Sequence, residues 1–265
     1  MGSKIGSENG REDENPLHTV FLDAYWIDQT EVTNGMFQAF IDDTGYKTDA
    51  EKRSYSWIFN KKTDMGWEII DGADWKHPIG PESSLEGLEA HPVVQISWND
   101  AAAYCKWAGR ELPTEAQWEK AVRGPDERIY PWGNEFDCNN GNFNYYDEPL
   151  VDFSVVKGGP ECDKYDTTAP VGSFPEGASP YGAYDMSGNV KEWVADWYDK
   201  NFYAISSASD DNPENTVDSE NKVLRGHSWY FNEYYVRSAI RDYYPPNNSY
   251  QFIGFRCASS DHTAP

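Results

Sequence analysis

The sequence predicts an α+β domain that is poor in regular secondary structure. Three observations predict it. Helical periodicity is confined to the first half of the chain and stops at Gly124. The second half alternates short strand-like runs with stretches rich in Asn, Asp, Gly and Pro. Glycine and proline, 21 and 16 of 265 residues, are spread along the whole length, which favours a loop-rich fold over a bundle. Helices first and irregular strands after them exclude a doubly wound sheet.

The elements follow in order. Residues 1–16 are polar and acidic and are expected to be disordered, leaving one domain over 17–260. His18–Leu22 and Tyr25–Ile27 read as short strands. Thr33 opens a helix with Met36, Phe37, Phe40 and Ile41 on one face, and Gly45 ends it. Val93–Ile96 reads as a strand. Ser97-Trp98-Asn99-Asp100 is a capping box for a second helix, closed by Gly109. Thr114 and Gln117 form another for a third helix, stopped by Gly124. Trp107, Trp118 and Ala121 fall on faces that can meet between those two helices. Val223–Gly226 and Gly254–Ala258 read as strands able to pair.

Composition narrows function. The net charge of −23 repels phosphate backbones and anionic lipid, so neither nucleic-acid binding nor membrane insertion is expected. No run approaches the roughly 18 apolar residues of a membrane helix, and no signal peptide is visible; a soluble monomer is expected, its compartment open. The four cysteines, Cys105, Cys138, Cys162 and Cys257, show no CxxC spacing, so a zinc ribbon is not expected. Cys105 and Cys257 read as buried thiols; Cys138 and Cys162 are able to pair if the compartment is oxidising.

Several phrases, in order, resemble the formylglycine-generating-enzyme family, also called the sulfatase-modifying-factor domain. They are Glu31-Val32-Thr33-Asn34, Pro92-Val93-Val94, Arg110 to Glu119, Tyr130-Pro131-Trp132-Gly133-Asn134, Ala169-Pro170-Val171, Tyr184 to Trp193, Val223–Gly226 and Gly254–Ala258. The resemblance spans about residue 18 to 258. It implies a C-type-lectin-like fold, which agrees with the α+β reading.

The resemblance also implies structural calcium at Asp185, Gly188, Val190 and Glu192. Two carboxylates and two carbonyls of a Gly-Asn turn suit a cation that takes six to eight hard oxygens; ordinary turn acids are the other reading. A second implied site uses Asn142 and Asp163 side chains with the Phe143 and Tyr165 carbonyls, Asn139, Asn140 and Asn144 competing for the first place.

Enzymes of this family use two cysteines that bind Cu(I), shortly after an Arg-Gly-Gly-Ser-type turn. Here that turn is Arg225-Gly226-His227-Ser228, and no cysteine lies between Cys162 and Cys257. Thiolates are the expected Cu(I) ligands, so neither copper nor formylglycine-generating activity is expected, and no catalytic residue is assigned. The five histidines are scattered without an HxxxH pair, so iron is not expected. His227 is open to a role as ligand or base, with packing the commoner use of a lone histidine beside aromatics.

Aromatic residues fill this segment. The chain here resembles variable proteins of diversity-generating retroelements, whose corresponding stretch is a hypervariable ligand-binding face. The resemblance places Arg225, Ser228, Trp229, Arg237, Ser238, Ala239, Arg241 and Gly254-Phe255-Arg256 in the scaffold. It places Tyr230, Phe231, Asn232, Tyr234, Tyr235, Ile240, Asp242, Tyr243, Tyr244, Asn247, Ser249, Tyr250 and Phe252 on the face. Trp229 and Phe252 are also core candidates, but burying every ring would require partners for many tyrosine hydroxyls. An exposed aromatic surface for an unknown protein or small-molecule ligand is therefore expected. An enzyme working without the cysteine pair, through His227, Tyr230, Tyr234 or Tyr235, is the alternative.

Overall fold

The structure, a computed structural model, describes residues 1–4, 10–59, 67–143, 164–205, 211–231 and 234–260. The three expected helices arise where their caps place them. In α1 (Asn34–Thr44) the Thr33 hydroxyl accepts from the Met36 N–H, and Gly45 closes the helix with φ +65°. In α3 (Trp98–Trp107) Ser97 and Asp100 cap reciprocally. In α4 (Glu115–Arg123) Thr114 and Gln117 do the same. These caps satisfy amide donors that a helix start otherwise leaves open. A short helix α2 (Asp49–Arg53), capped by Thr48 and Glu51, and a hairpin of β2 (Tyr55–Phe59) with β3 (Trp67–Asp71) were not read from the sequence.

The central sheet has the order β6-β5-β4-β7, built from β4 (Lys191–Trp197), β5 (Lys222–Arg225), β6 (Asp242–Tyr244) and β7 (Ile253–Gly254). The predicted strands at Val223 and Gly254 form but do not pair with each other, because β4 lies between them. A small second sheet pairs β1 (Trp26–Ile27) with β8 (Ala258–Ser259). His18–Leu22 and Val93–Ile96 form no strand. In the latter, Gln95 takes φ +61°, which breaks extended backbone although Val93 and Ile96 are fully buried.

The central sheet separates two cores. Trp193 and Leu224 face a large cluster with Phe37, Trp75, Tyr104, Phe252 and Phe255. Their neighbours Val194 and Val223 face Trp118, Val122 and Met186. Alternation along a strand sends successive side chains to opposite faces. Trp107 and Trp118 consequently do not meet. Trp107 packs on Phe40 and Tyr104, whereas Trp118 lies beneath the sheet.

Two further expectations are corrected. Cys105 and Cys257 are not free thiols: they are bonded to each other, tying α3 to the residue just before the last strand. Cys138 is disulfide-bonded too, and Cys162 lies outside the described residues. The start of the chain, expected to be disordered, is placed against the domain in its described parts. Glu14 is buried and bound by the Arg237 guanidinium at 2.8 and 3.0 Å, and the Tyr198 hydroxyl donates to Asp13. No helix among the described residues is long and apolar enough to cross a membrane.

Candidate functional site

The segment after β5 is held by arginines. The Arg225 guanidinium spans Glu115 and Glu119 of α4, at 3.0 and 2.7 Å. Arg241 makes two bonds to the same Glu115, at 2.8 and 2.9 Å. Arg225, Arg241 and both glutamates are buried, so each charge is matched where an unmatched one would be costly. The Glu119 carboxyl, which burial alone would raise, is pulled down to about 2 by Arg225 and Arg123. The Arg-Gly-His-Ser turn then reverses through two left-handed residues, Gly226 at φ +84° and His227 at φ +53°.

The sheet brings one residue from each strand region into a shared box. Lys191 of β4 is buried and ion-paired with Asp242 of β6. Its ammonium lies 4.2 Å from the Phe231 ring centre, 5.3 Å from Phe252 and 5.5 Å from Tyr244. Aromatic faces and a carboxylate together stabilise a buried ammonium. Burial still lowers the Lys191 pKa, with Asp242 opposing. Burial would raise Asp242, but the Lys191 charge keeps it below the ordinary carboxylate value.

His227 completes the box. Its ring sits 4.7 Å from Phe231 and 5.6 Å from Tyr235. Neither ring nitrogen has a hydrogen-bond partner among the described residues. Burial, reinforced by Lys191, pushes its pKa well below the usual histidine value, so the imidazole is neutral. Lys191 was not singled out in the sequence. The sequence carries no signal for it, since Lys191 stands beside Glu192 in a stretch of mixed polarity.

The predicted recognition residues divide. Tyr243 is 39% exposed, stacked on Tyr198 at 3.9 Å, and Asn247 is exposed. Phe231, Tyr234, Tyr235, Asp242 and Tyr244 are half-buried. Tyr230, Ile240, Ser249, Tyr250 and Phe252 are buried, which corrects their assignment to an exposed face. For Tyr230, Ser249 and Tyr250 the physical reason is the β2–β3 hairpin, which covers them, while Phe252 joins the large core cluster. Trp57 and Phe59 pack against Tyr250 and Tyr230, and Ser56 and Arg53 bind Ser249. Asn232 lies outside the described residues.

The residues present do not fit a thiolate copper centre, since the described cysteines are in disulfides and aromatic rings occupy the segment. The calcium candidates fit unevenly. Asn142 is buried, its amide donates to the Thr167 carbonyl and to Asn189, and its Oδ1 has no partner among the described residues, a free hard oxygen of the kind calcium takes. Phe143 is buried and Tyr165 half-buried; Asp163 lies outside the described residues. At the first set, Asp185, Gly188 and Val190 lie in a tight turn with φ +57° at Asp185 and +90° at Gly188. Asp185 accepts from the Gly172 N–H and lies beside the carboxyl of Glu31, one oxygen of which accepts from the Asn189 amide. The second Glu31 oxygen has no hydrogen-bond partner among the described residues. Burial and the neighbouring Asp185 raise the Glu31 pKa. Glu192 is already engaged: its oxygens accept two bonds from Arg256 and one from the Trp118 indole.

Known proteins share this sequence pattern and this fold. The model of the sulfatase-modifying factor enzyme 1-like domain matches residues 1–261. A formylglycine-generating enzyme of Thermomonospora curvata is 38% identical across 98% of this chain and 89% of its own length. An inactive Cα-formylglycine-generating enzyme 2 of Bos taurus is 34% identical across 96% and 83%. Among solved structures, PvdO from Pseudomonas aeruginosa superposes with a TM-score of 0.73 at 26% identity, covering 97% of this chain and 89% of that one. Treponema denticola variable protein 1 superposes with a TM-score of 0.63 at 21% identity, over 92% and 87%, a likeness of fold alone.

Proposed function

The chain belongs to the sulfatase-modifying factor enzyme 1-like family, and from that premise we propose that it is a recognition domain without the family's copper chemistry. One observation carries the reading. The stretch after Arg225-Gly226-His227-Ser228 holds no thiol, and a lysine-centred aromatic box is assembled there instead. The ligand, a protein or a small molecule, meets the half-buried and exposed rings Tyr234, Tyr235, Tyr243 and Tyr244, with Asn247 at the rim. Tyrosines suit this use because two torsions fix a large amphipathic contact. A family member named as inactive is a precedent for the scaffold without the chemistry.

Calcium is part of this proposal as a structural ion. Asp185 with the Gly188 and Val190 carbonyls, and Asn142 with the Phe143 and Tyr165 carbonyls, are its candidate ligands; Glu192 shares its carboxylate with Arg256. It would neutralise buried carboxylates and supply no chemistry to a substrate.

A second reading is enzymatic. The neutral imidazole of His227, without a hydrogen-bond partner among the described residues, stands beside the Lys191–Asp242 pair as a candidate proton acceptor, one that burial makes weaker than an ordinary histidine. Cu(I) competition against a chromophoric chelator, with formylglycine formation on a cysteine peptide, tests the first part of the proposal. No tight copper and no product are expected. Probing peptide and glycan arrays with the wild-type protein and a Tyr235→Ala/Tyr243→Ala variant tests the second. Signals that persist in the variant at unchanged melting temperature would refute binding at these rings.

A further inference from the structure

A cavity that shares no residue with the aromatic box has the build of a small-molecule site. It is a half-open groove of about 470 Å3 between the segment Leu22–Ile27, the outer side of α4 and the turn at Tyr181. That volume is in the range of ligand pockets, about 300–1,000 Å3. Small residues make the depth: Ala121 and Ala183 at its base are 1% and 4% exposed. Two large rings stand open at its edge, Trp26 at 58% and Tyr181 at 55% exposed. The walls are braced from outside. The Tyr25 hydroxyl donates to the Gln117 carbonyl, and the Gln29 amide donates to the Gly182 carbonyl.

The lining carries two charges, and their partners differ. Asp23 is engaged by Asn212, whose amide donates to its carboxylate and whose Oδ1 accepts from its N–H. Lys120 lies 5.6 Å over the Tyr181 ring. It has no carboxylate within ion-pair distance among the described residues, unlike Arg123 one turn on. In a chain of net charge −23, an unmatched ammonium at the mouth of an apolar cavity selects for a ligand that brings one anionic group. The overall negative field does not prevent this, because salt screens charges beyond about 8 Å.

We infer that this cavity binds a flat aromatic molecule bearing a single acidic group, its ring against Trp26 and Tyr181 and its anion on Lys120. This site is separate from the recognition face and does not depend on that reading. Two probes of one shape test it: 1-anilinonaphthalene-8-sulfonate, which is anionic, and N-phenyl-1-naphthylamine, which is neutral. Titrated fluorescence is read for wild type, Lys120→Ala, Trp26→Ala and, as a control at the recognition face, Tyr243→Ala. The sulfonate is expected to saturate at one per chain and to bind several-fold tighter than the amine. Lys120→Ala removes that difference, Trp26→Ala weakens both probes about tenfold, and Tyr243→Ala changes neither. Near-ultraviolet circular dichroism confirms that each variant is folded. Equal affinity for the two probes in wild type overturns the acidic ligand. Sulfonate binding that is absent, or undiminished in Trp26→Ala, overturns the site.

Discussion

Arg256 and Glu192 meet in the interior as a two-pronged ion pair, Nε to Oε2 at 2.7 Å and Nη2 to Oε1 at 2.8 Å, with both side chains wholly buried. The pair joins β4 to the segment between β7 and β8, and the remaining guanidinium bonds reach the Asp28, Gln29 and Tyr184 carbonyls. Breaking such a pair leaves one desolvated charge unmatched, at a cost of about 3–5 kcal/mol. Glu192→Ala is expected to lose that much in urea denaturation. The double variant Glu192→Leu/Arg256→Leu is expected to lose less than the sum of the two single changes, because no lone charge remains.

Asp196 makes stability depend on pH. Burial first, and the neighbouring Glu115 carboxylate second, raise its pKa to about 7. In the unfolded chain it titrates near 4. The folded state therefore binds the proton more tightly, and the stabilisation is complete below about pH 4. It is lost progressively as pH rises from there through about 7. Every tenfold difference in proton affinity between the two states corresponds to about 1.4 kcal/mol. Asp196→Asn is expected to flatten the decline between those values, since a neutral side chain retains an acceptor for the Glu115 or Asn215 N–H that Asp196 now binds. Melting temperatures measured at closely spaced pH values would show it.

The Cys105–Cys257 disulfide closes a separation of 152 residues. Cross-links stabilise chiefly by restricting the unfolded chain, typically by about 2–4 kcal/mol. Cys105→Ala/Cys257→Ala is expected to fold and to melt roughly 5–15 °C lower. An unshifted calorimetric transition would mean that the bond contributes nothing to the native state.

Chelation tests the calcium proposal. A ligand of the folded state at one hundred times its Kd adds about 2.7 kcal/mol. Removing calcium with a chelator is expected to lower the melting temperature by several degrees, and added calcium to restore it. Asn142→Ala should shrink that response, because it removes an oxygen that has no other partner among the described residues.

Structure is most legible in the sequence where hydrogen bonds are local. Thr33, Ser97 and Thr114 cap the helices they were assigned to, because a cap involves a residue and the third one after it. The strands at Val223 and Gly254 were legible too, but not their neighbour, since strand order depends on where β4 lies. The box around Lys191 escaped notice for the same reason. Its carboxylate comes from 51 residues away, and no spacing rule joins them.

The sequence by itself determined the family, the α+β character, the starts of the three long helices and the lack of cysteine between Cys162 and Cys257. These follow from residue identity and short-range hydrogen bonding. Only the tertiary structure decided which tyrosines are open. It buried Tyr230 and Tyr250 beneath a hairpin, left Tyr243 exposed and paired Cys105 with Cys257. The physical reason is that burial is a property of the neighbours a chain brings from afar. A ring reads the same in sequence whether a hairpin covers it or water does.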